Sequence, residues 1–191
     1  MPKRMMSLAT FSRRLTGAIL PLAIVLCLAP RAQAAGEVVP SFGITKTTDG
    51  NADAKMSGGL ALRGHPLPLL MDEIGVGYRS ESRFNDQLHV RQWPVTASLY
   101  LSPPTSIVYA GAGVGWYHST YDYAENTGVP DETKQQFGVH VGGGFQVPVG
   151  PRVGLDLNGR YVMLRDQQSH LIPDKFSPNF WTTSLGLAFK F

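Results

Sequence analysis

Apolar and polar positions alternate with a period of two along the last stretch of the chain, Asn179 to Phe191, which reads N-F-W-T-T-S-L-G-L-A-F-K-F. One register holds Trp181, Thr183, Leu185, Leu187, Phe189 and Phe191, mostly apolar and aromatic at both ends. The other holds Thr182, Ser184, Gly186, Ala188 and Lys190, small or polar. In a strand, successive side chains point to opposite faces. The stretch therefore suits a wall with lipid on one side and a packed polar interior on the other. Its length is about that of a tilted strand crossing a bilayer.

The same alternation recurs upstream and predicts eight strands near Val38 to Lys46, Lys55 to Gly64, Leu70 to Ser82, Leu88 to Leu101, Ile107 to Tyr121, Gln136 to Val147, Arg152 to Leu164 and Phe180 to Phe191. Three connections are tight and marked by proline: His65 to Pro68, Ser102 to Thr105 and Pro148 to Pro151. The alternate connections, Thr47 to Ala54, Arg83 to Gln87, Asp122 to Gln135 and Arg165 to Asn179, are mostly longer and polar. Short turns at one end and longer loops at the other are the plan of an outer-membrane barrel, with the short turns in the periplasm. The expected fold is all-β, an eight-stranded antiparallel up-and-down transmembrane β-barrel in which the last strand closes on the first.

Facing follows from the alternation. Outward fall Phe42, Leu60, Leu62, Val76, Val95, Leu99, Val114, Val139, Leu155 and Leu157, with Trp93, Trp116, Trp181, Tyr78 and Tyr161 as an interfacial aromatic girdle. A soluble eight-stranded barrel would be polar outside, which excludes a lipocalin-like protein. Inward fall Ser98, Tyr100, Tyr109, Tyr117, His140 and Asn158, together with an interior charge network of Arg63, Glu73, Arg79, Glu81, Asp156, Arg160 and Lys190. Arg63, Glu73, Asp156 and Lys190 are expected low in the barrel, and Arg79, Glu81 and Arg160 higher. An eight-stranded barrel is just wide enough for its own side chains, and buried charges must be paired. These charges are thus read as a salt-bridged plug and not as a conduit.

The beginning of the chain differs from the rest. Lys3, Arg4, Arg13 and Arg14 precede an apolar run from Ala18 to Ala29 and an A-Q-A motif at Ala32 to Ala34, the layout of a cleavable signal peptide over residues 1–34. The run is too short for a spanning helix of about 20 residues. The barrel domain would then occupy residues 35–191, with 12 Lys and Arg against 14 acids and a formal charge of −2 in place of +3. The basic balance thus belongs to the signal, and no nucleic-acid partner is indicated. Cys27, the single cysteine, lies in the apolar run, so the mature chain offers no thiol or disulfide chemistry.

Little else points to catalysis. His65, His89, His118, His140 and His170 have no metal-ligand spacing. His140 with Ser98 or Ser184 could be imagined as base and nucleophile, but a lone inward histidine is more often a hydrogen-bonded filler. G-A-G-V-G-W at Gly111 to Trp116 lacks the third-glycine spacing and the following helix of a nucleotide loop. Inward glycines such as Gly113, Gly115, Gly138, Gly142 and Gly144 instead make room for large neighbours. No enzyme, cofactor or metal is expected. The long loops, with Tyr123, Glu125, Asp131, Glu132, Lys175 and Phe176, are where a surface ligand would bind.

The segments Tyr109 to Tyr117, Phe137 to Gly150, Val153 to Tyr161 and the terminal G-L-A-F-K-F resemble the outer-membrane β-barrel domain family, the small OmpA/OmpX-like and OmpW-like barrels. The resemblance implies a Gram-negative outer membrane, contact with its lipid and lipopolysaccharide, and a monomer. It also implies recognition by the barrel assembly machinery through Phe191, with Phe189 and Leu187 as the alternating positions before it. The function it implies is that of an integral protein of structural or surface-interaction type. OmpW-like passage of small apolar molecules is the alternative, and lipid A modification is more remote.

Overall fold

The computed structural model describes residues 36–48, 54–83, 88–104, 106–123, 130–164, 167–169, 172–176 and 179–191, without the side chains of 81–83, 88, 167–169 and 172–176. The expected signal peptide, Cys27 and Glu125 lie outside the described residues. Contacts divide the chain into Met1–Gln33 and Ala34–Phe191, and the described residues all fall in the second unit.

That unit holds ten strands: β1 (Glu37–Thr47), β2 (Lys55–Leu67), β3 (Leu70–Arg83), β4 (Leu88–Leu101), β5 (Val108–Tyr123), β6 (Glu132–Pro148), β7 (Val153–Leu164), β8 (Gln167–Ser169), β9 (Ile172–Phe176) and β10 (Phe180–Lys190). All but β8 and β9 form a closed barrel in which neighbours pair antiparallel, and β10 pairs with both β7 and β1. The closing seam runs from Glu37↔Lys190 to Thr47↔Phe180. Beyond it, Gly36 and Phe191 exchange two backbone hydrogen bonds of 3.0 and 3.3 Å. Closure leaves no strand edge, which matters in a bilayer because no water satisfies free backbone groups there.

Period-two alternation becomes two faces. Phe42, Leu60, Leu62, Val95, Leu99, Val139, Leu155 and Leu157 are exposed on the outside, while Tyr100, Tyr109, Tyr117, Arg63, Glu73, His140 and Asp156 are buried inside. Apolar outside and polar inside is the reverse of a soluble barrel.

Most strand ends fall within one or two residues of the expected ones, and three departures are larger. β2 continues through His65 and Pro66, with a register shift between Gly64 and Leu67, so the turn shrinks to Pro68 and Leu69. A bulge lets the strand absorb Pro66, whose missing N–H cannot enter a regular ladder. β6 begins at Glu132 and not at Gln136, extending the β5–β6 ladder with Tyr121↔Glu132 and Ser119↔Lys134. Outside the apolar layer a ladder needs no hydrophobic face, so this polar extension carries no alternating signal. Likewise, β8 and β9 form a two-stranded sheet within the stretch read as loop.

Candidate functional site

The barrel interior is layered. Nearest the short turns, Met71, Tyr100 and Tyr109 form an apolar cluster, with the two tyrosine rings edge to face at 5.2 Å. Above it lies a closed ionic network. Arg63 Nε donates to Glu73 Oε2 at 2.7 Å, and its Nη1 and Nη2 donate to the two oxygens of Asp156 at 2.7 and 3.1 Å. Arg160 Nη2 donates to Glu73 Oε1 at 2.6 Å, and Arg160 Nε to Asn158 Oδ1 at 2.7 Å. Tyr109 knits the two sides together. Its hydroxyl donates to Asp156 Oδ2 at 2.9 Å and accepts from Arg63 and Asn158 at 3.1 and 3.0 Å. Two guanidiniums therefore meet two carboxylates, and each carboxylate oxygen has a donor, the condition under which buried charge is tolerated.

Sequence position explains this convergence. Arg63 and Glu73 are direct cross-strand partners on β2 and β3. Asp156, Asn158 and Arg160 recur every second residue of β7 and so share its inner face. Their bulk is admitted by glycines opposite. A Cβ on Gly142 would lie 2.8 Å from Arg160 Cγ, and one on Gly144 would lie 2.6 Å from the Tyr109 hydroxyl.

Higher up, Tyr117, Val162, Leu164 and Phe180 make a second apolar layer, and Val90, Tyr121 and Tyr123 a third. Beside the ionic network and the Tyr117 layer lies a partly open pocket of about 130 Å³, whose lining takes in interior residues such as Thr96, Tyr117, His140 and Arg160 and outward ones on β1 to β3 such as Phe42, Leu60, Val76 and Tyr78. It has room for several water molecules at about 10–15 Å³ of such space each. His140 Nε2 shares a 2.9 Å hydrogen bond with Ser98 Oγ, while its Nδ1 has no partner.

The expected charge network is thus redistributed. Arg160, assigned to an upper tier, reaches down to Glu73 and joins Arg63 and Asp156. Arg79 stands apart from them, donating to Gln92 Oε1 at 2.6 Å with its guanidinium carbon 3.8 Å over the Phe180 ring. Gln92 is its cross-strand neighbour and passes the bond on to Ser119 at 2.8 Å. Lys190 lies at the periplasmic mouth, half exposed and 3.7 Å from Glu37, which also accepts from Gln146 at 2.8 Å. Glu81 sits opposite Val90 in the β3–β4 register, and its side chain lies outside the described residues. Sequence reasoning missed Glu37, one residue before the expected start of β1, and Gln92, an uncharged partner that a search for charges passes over.

Trp93, Trp116, Trp181 and Tyr78 are exposed on the outer face, and Tyr161 is partly covered. Trp93 packs on Tyr78 at 4.7 Å and Trp181 on Tyr161 at 4.6 Å. The wall has an irregularity here. The β3–β4 register passes Val76↔Val95 and resumes at Arg79↔Gln92, skipping Pro94, which has no N–H to give. The Pro94 ring fills the inner side, close enough that a Cβ on Gly77 would sit 3.2 Å away. The Tyr78–Trp93 pair stands on the outer side. Phe189, Leu187 and Phe191 are exposed along the outer face of β10. Among the described residues, no group of three or more His, Cys, Asp or Glu could hold a metal ion.

A family model, the outer membrane protein beta-barrel domain, matches residues 18–190. The chain belongs to this family. It is an integral β-barrel protein of the Gram-negative outer membrane. Among solved structures it is similar to Neisserial surface protein A, with TM-score 0.56 and 17% identity, covering 84% of this chain and 98% of that one. OprG from Pseudomonas aeruginosa follows at TM-score 0.53 and 16% identity, covering 84% and 98%. A major outer membrane protein from Thermus thermophilus gives 0.52 and 16%, covering 84% and 100%. No curated protein sequence matches the chain. At such identities the structural likeness speaks for the fold of this family member, and its chemistry is read from its own residues.

Proposed function

We propose that this protein is a closed, non-enzymatic outer-membrane barrel that stabilises the envelope and meets partners through its extracellular end. The observation carrying this reading is the filled interior, in which the Arg63–Glu73–Asp156–Arg160 network lies between apolar layers. An eight-stranded barrel filled in this way has no axial path for ions. Ser98 and His140 act as packing. The imidazole that a base would need held in place has no partner at Nδ1, and Ser98 is buried among interior side chains.

Residues 1–34 serve as a cleaved signal. Phe191, with Phe189 and Leu187 before it, presents the terminal strand to the barrel assembly machinery. The partners in the finished membrane are lipid and lipopolysaccharide along the girdle of Trp93, Trp116, Trp181, Tyr78 and Tyr161, and the barrel acts as a monomer. The deciding experiment is reconstitution of the mature chain into planar bilayers, with heat-modifiable gel mobility as proof of folding. Folded protein without current above the empty bilayer is expected. A steady current from folded protein would overturn the closed-barrel reading.

A further inference from the structure

The inner wall is uneven. On β4 to β7 it carries Tyr100, Tyr109, Tyr117, His140 and Arg160, whereas the inward positions of β10, β1 and β2 are small. The register shows why. Ser184 pairs with Gly43 and Gly43 with Ser57 in one row, and Gly186 pairs with Ser41 and Ser41 with Gly59 in the next. Small residues opposite large ones leave space between them. Ser41, Ser57, Thr182, Ser184 and Arg160 accordingly stay partly open although all face inward, and all five line the pocket beside the ionic network.

The groups turned to this space are mainly donors. Arg160 spends Nε on Asn158 and Nη2 on Glu73, which leaves Nη1 free of hydrogen bonds, and 17% of its side chain is exposed. Thr182, its cross-strand partner on β10, brings a hydroxyl beside it. Tyr117 is 1% exposed and lines the same pocket, yet its hydroxyl has no hydrogen-bond partner among the described residues. Its ring is held by the edge-to-face contact with Phe180. Free acceptors are scarce. Both oxygens of Glu73 are taken, by Arg63 and Arg160, and the charged lining is that one carboxylate against the guanidiniums of Arg79 and Arg160. A buried donor left without an acceptor costs stability.

We infer that the space between the small inner face of β10, β1 and β2 and the Arg160–Tyr117 side holds one small monovalent anion of the halide class. Arg160 Nη1 supplies two N–H groups and the only formal charge the site requires. The hydroxyls of Tyr117, Thr182 and Ser184 rotate to turn their hydrogens toward the anion. Hydrogen bonds with one charged member are the stronger kind, and a low-dielectric interior strengthens them further. Water alone fits less well, because each molecule brings two hydrogens of its own to a lining already rich in donors. The anion is held and not passed, since the Met71 layer lies below it and the Phe180 layer above it along the axis. The site thus rests on the closed interior, which the planar-bilayer current tests separately.

The test uses the mature chain with tyrosine isotopically labelled at Cζ, refolded into phosphatidylcholine nanodiscs at a series of chloride concentrations. Sodium gluconate, a bulky anion, replaces sodium chloride so that ionic strength stays constant. The Tyr117 NMR signal, identified by its loss in Tyr117→Phe, should shift saturably with chloride. Thr182→Val, which removes a hydroxyl at nearly constant shape, and Arg160→Gln should each raise the midpoint by about ten-fold or more, the scale of one hydrogen bond to a charged group. Heat-modifiable mobility checks folding, and Thr182→Val alone decides the matter where Arg160→Gln does not fold. A drift without saturation, or one midpoint shared by every folded variant, would leave the space to water and overturn the inference.

Discussion

In the periplasmic half of the barrel the interior is held by charge: Arg63, Glu73, Asp156 and Arg160 form one network in which Glu73 serves both arginines. In the extracellular half it is held by apolar contact, with Tyr117 and Phe180 edge to face at 6.2 Å and Val162 and Leu164 beside them. The wall around both halves has the same alternation and the same lipid-facing residues. The difference therefore comes from the inner register alone. Arg79, a charge placed in the apolar half, lies over the Phe180 ring and donates to Gln92. In the lower half the arginines meet two carboxylates; in the upper half the contacts of Arg79 include a π face and an amide.

The comparison breaks most sharply at Glu73. Glu73→Ala removes one carboxylate from two buried guanidiniums and should destabilise the barrel by about 3–5 kcal/mol, the scale for orphaning a buried ion-pair partner. The measurement is urea unfolding in phospholipid vesicles followed by tryptophan fluorescence. Phe180→Ala tests the apolar half. Phe→Ala in a core costs about 3–5 kcal/mol, and the lower end is expected here because the nearby cavity can hydrate the space left behind. If Phe180→Ala cost more than Glu73→Ala, the upper layer and not the ionic network would be the main structural element.

Arg160→Ala sharpens the same comparison from the cation side. Arg160 is more exposed than Arg63, and Glu73 keeps its bond to Arg63 when Arg160 is lost. The expected loss is about 1.5–3 kcal/mol, that of a hydrogen-bonded charge, with no ion current gained. A double-mutant cycle with Glu73→Ala should show coupling above about 0.5 kcal/mol. Strict additivity would mean that the 2.6 Å bond contributes nothing in the membrane-embedded protein.

The eight strands were legible because lipid outside and packed side chains inside impose a strict period of two, and prolines mark the turns at one end. Where one of those constraints lapses, so does legibility. Residues Glu132 to Gln135 pair with β5 beyond the expected end of the ladder, in a polar extension with no apolar face to announce it. β8 and β9 were hidden for the same reason. Inside, the charges could be assigned to a face but not to partners, because facing follows from parity while partnership depends on side-chain reach. Arg160 reaches Glu73 across the barrel interior, whereas Arg79 finds Gln92 on the adjacent strand. The glycines of β5 and β6 had a readable purpose, since Gly113 and Gly144 stand against His140 and Tyr109.

The smallest expected effect separates a buried charge pair from one at the edge. Lys190 and Glu37 meet at 3.7 Å at the periplasmic mouth, with the lysine side chain 42% exposed and the glutamate 4% exposed. Water reaches the ammonium, and Gln146 donates to the carboxylate independently at 2.8 Å. Lys190→Ala should therefore cost less than about 1 kcal/mol, the range of exposed pairs. Ionic strength then discriminates. A solvent-exposed pair is screened over about 3 Å at 1 M salt, whereas a buried pair is screened much less. The Lys190→Ala difference should vanish between about 0.1 and 1 M salt while the Glu73→Ala difference persists. If both effects faded together, water would be reaching the Arg63–Glu73–Asp156–Arg160 network, and the lower half of the barrel would be a hydrated channel instead of a plug.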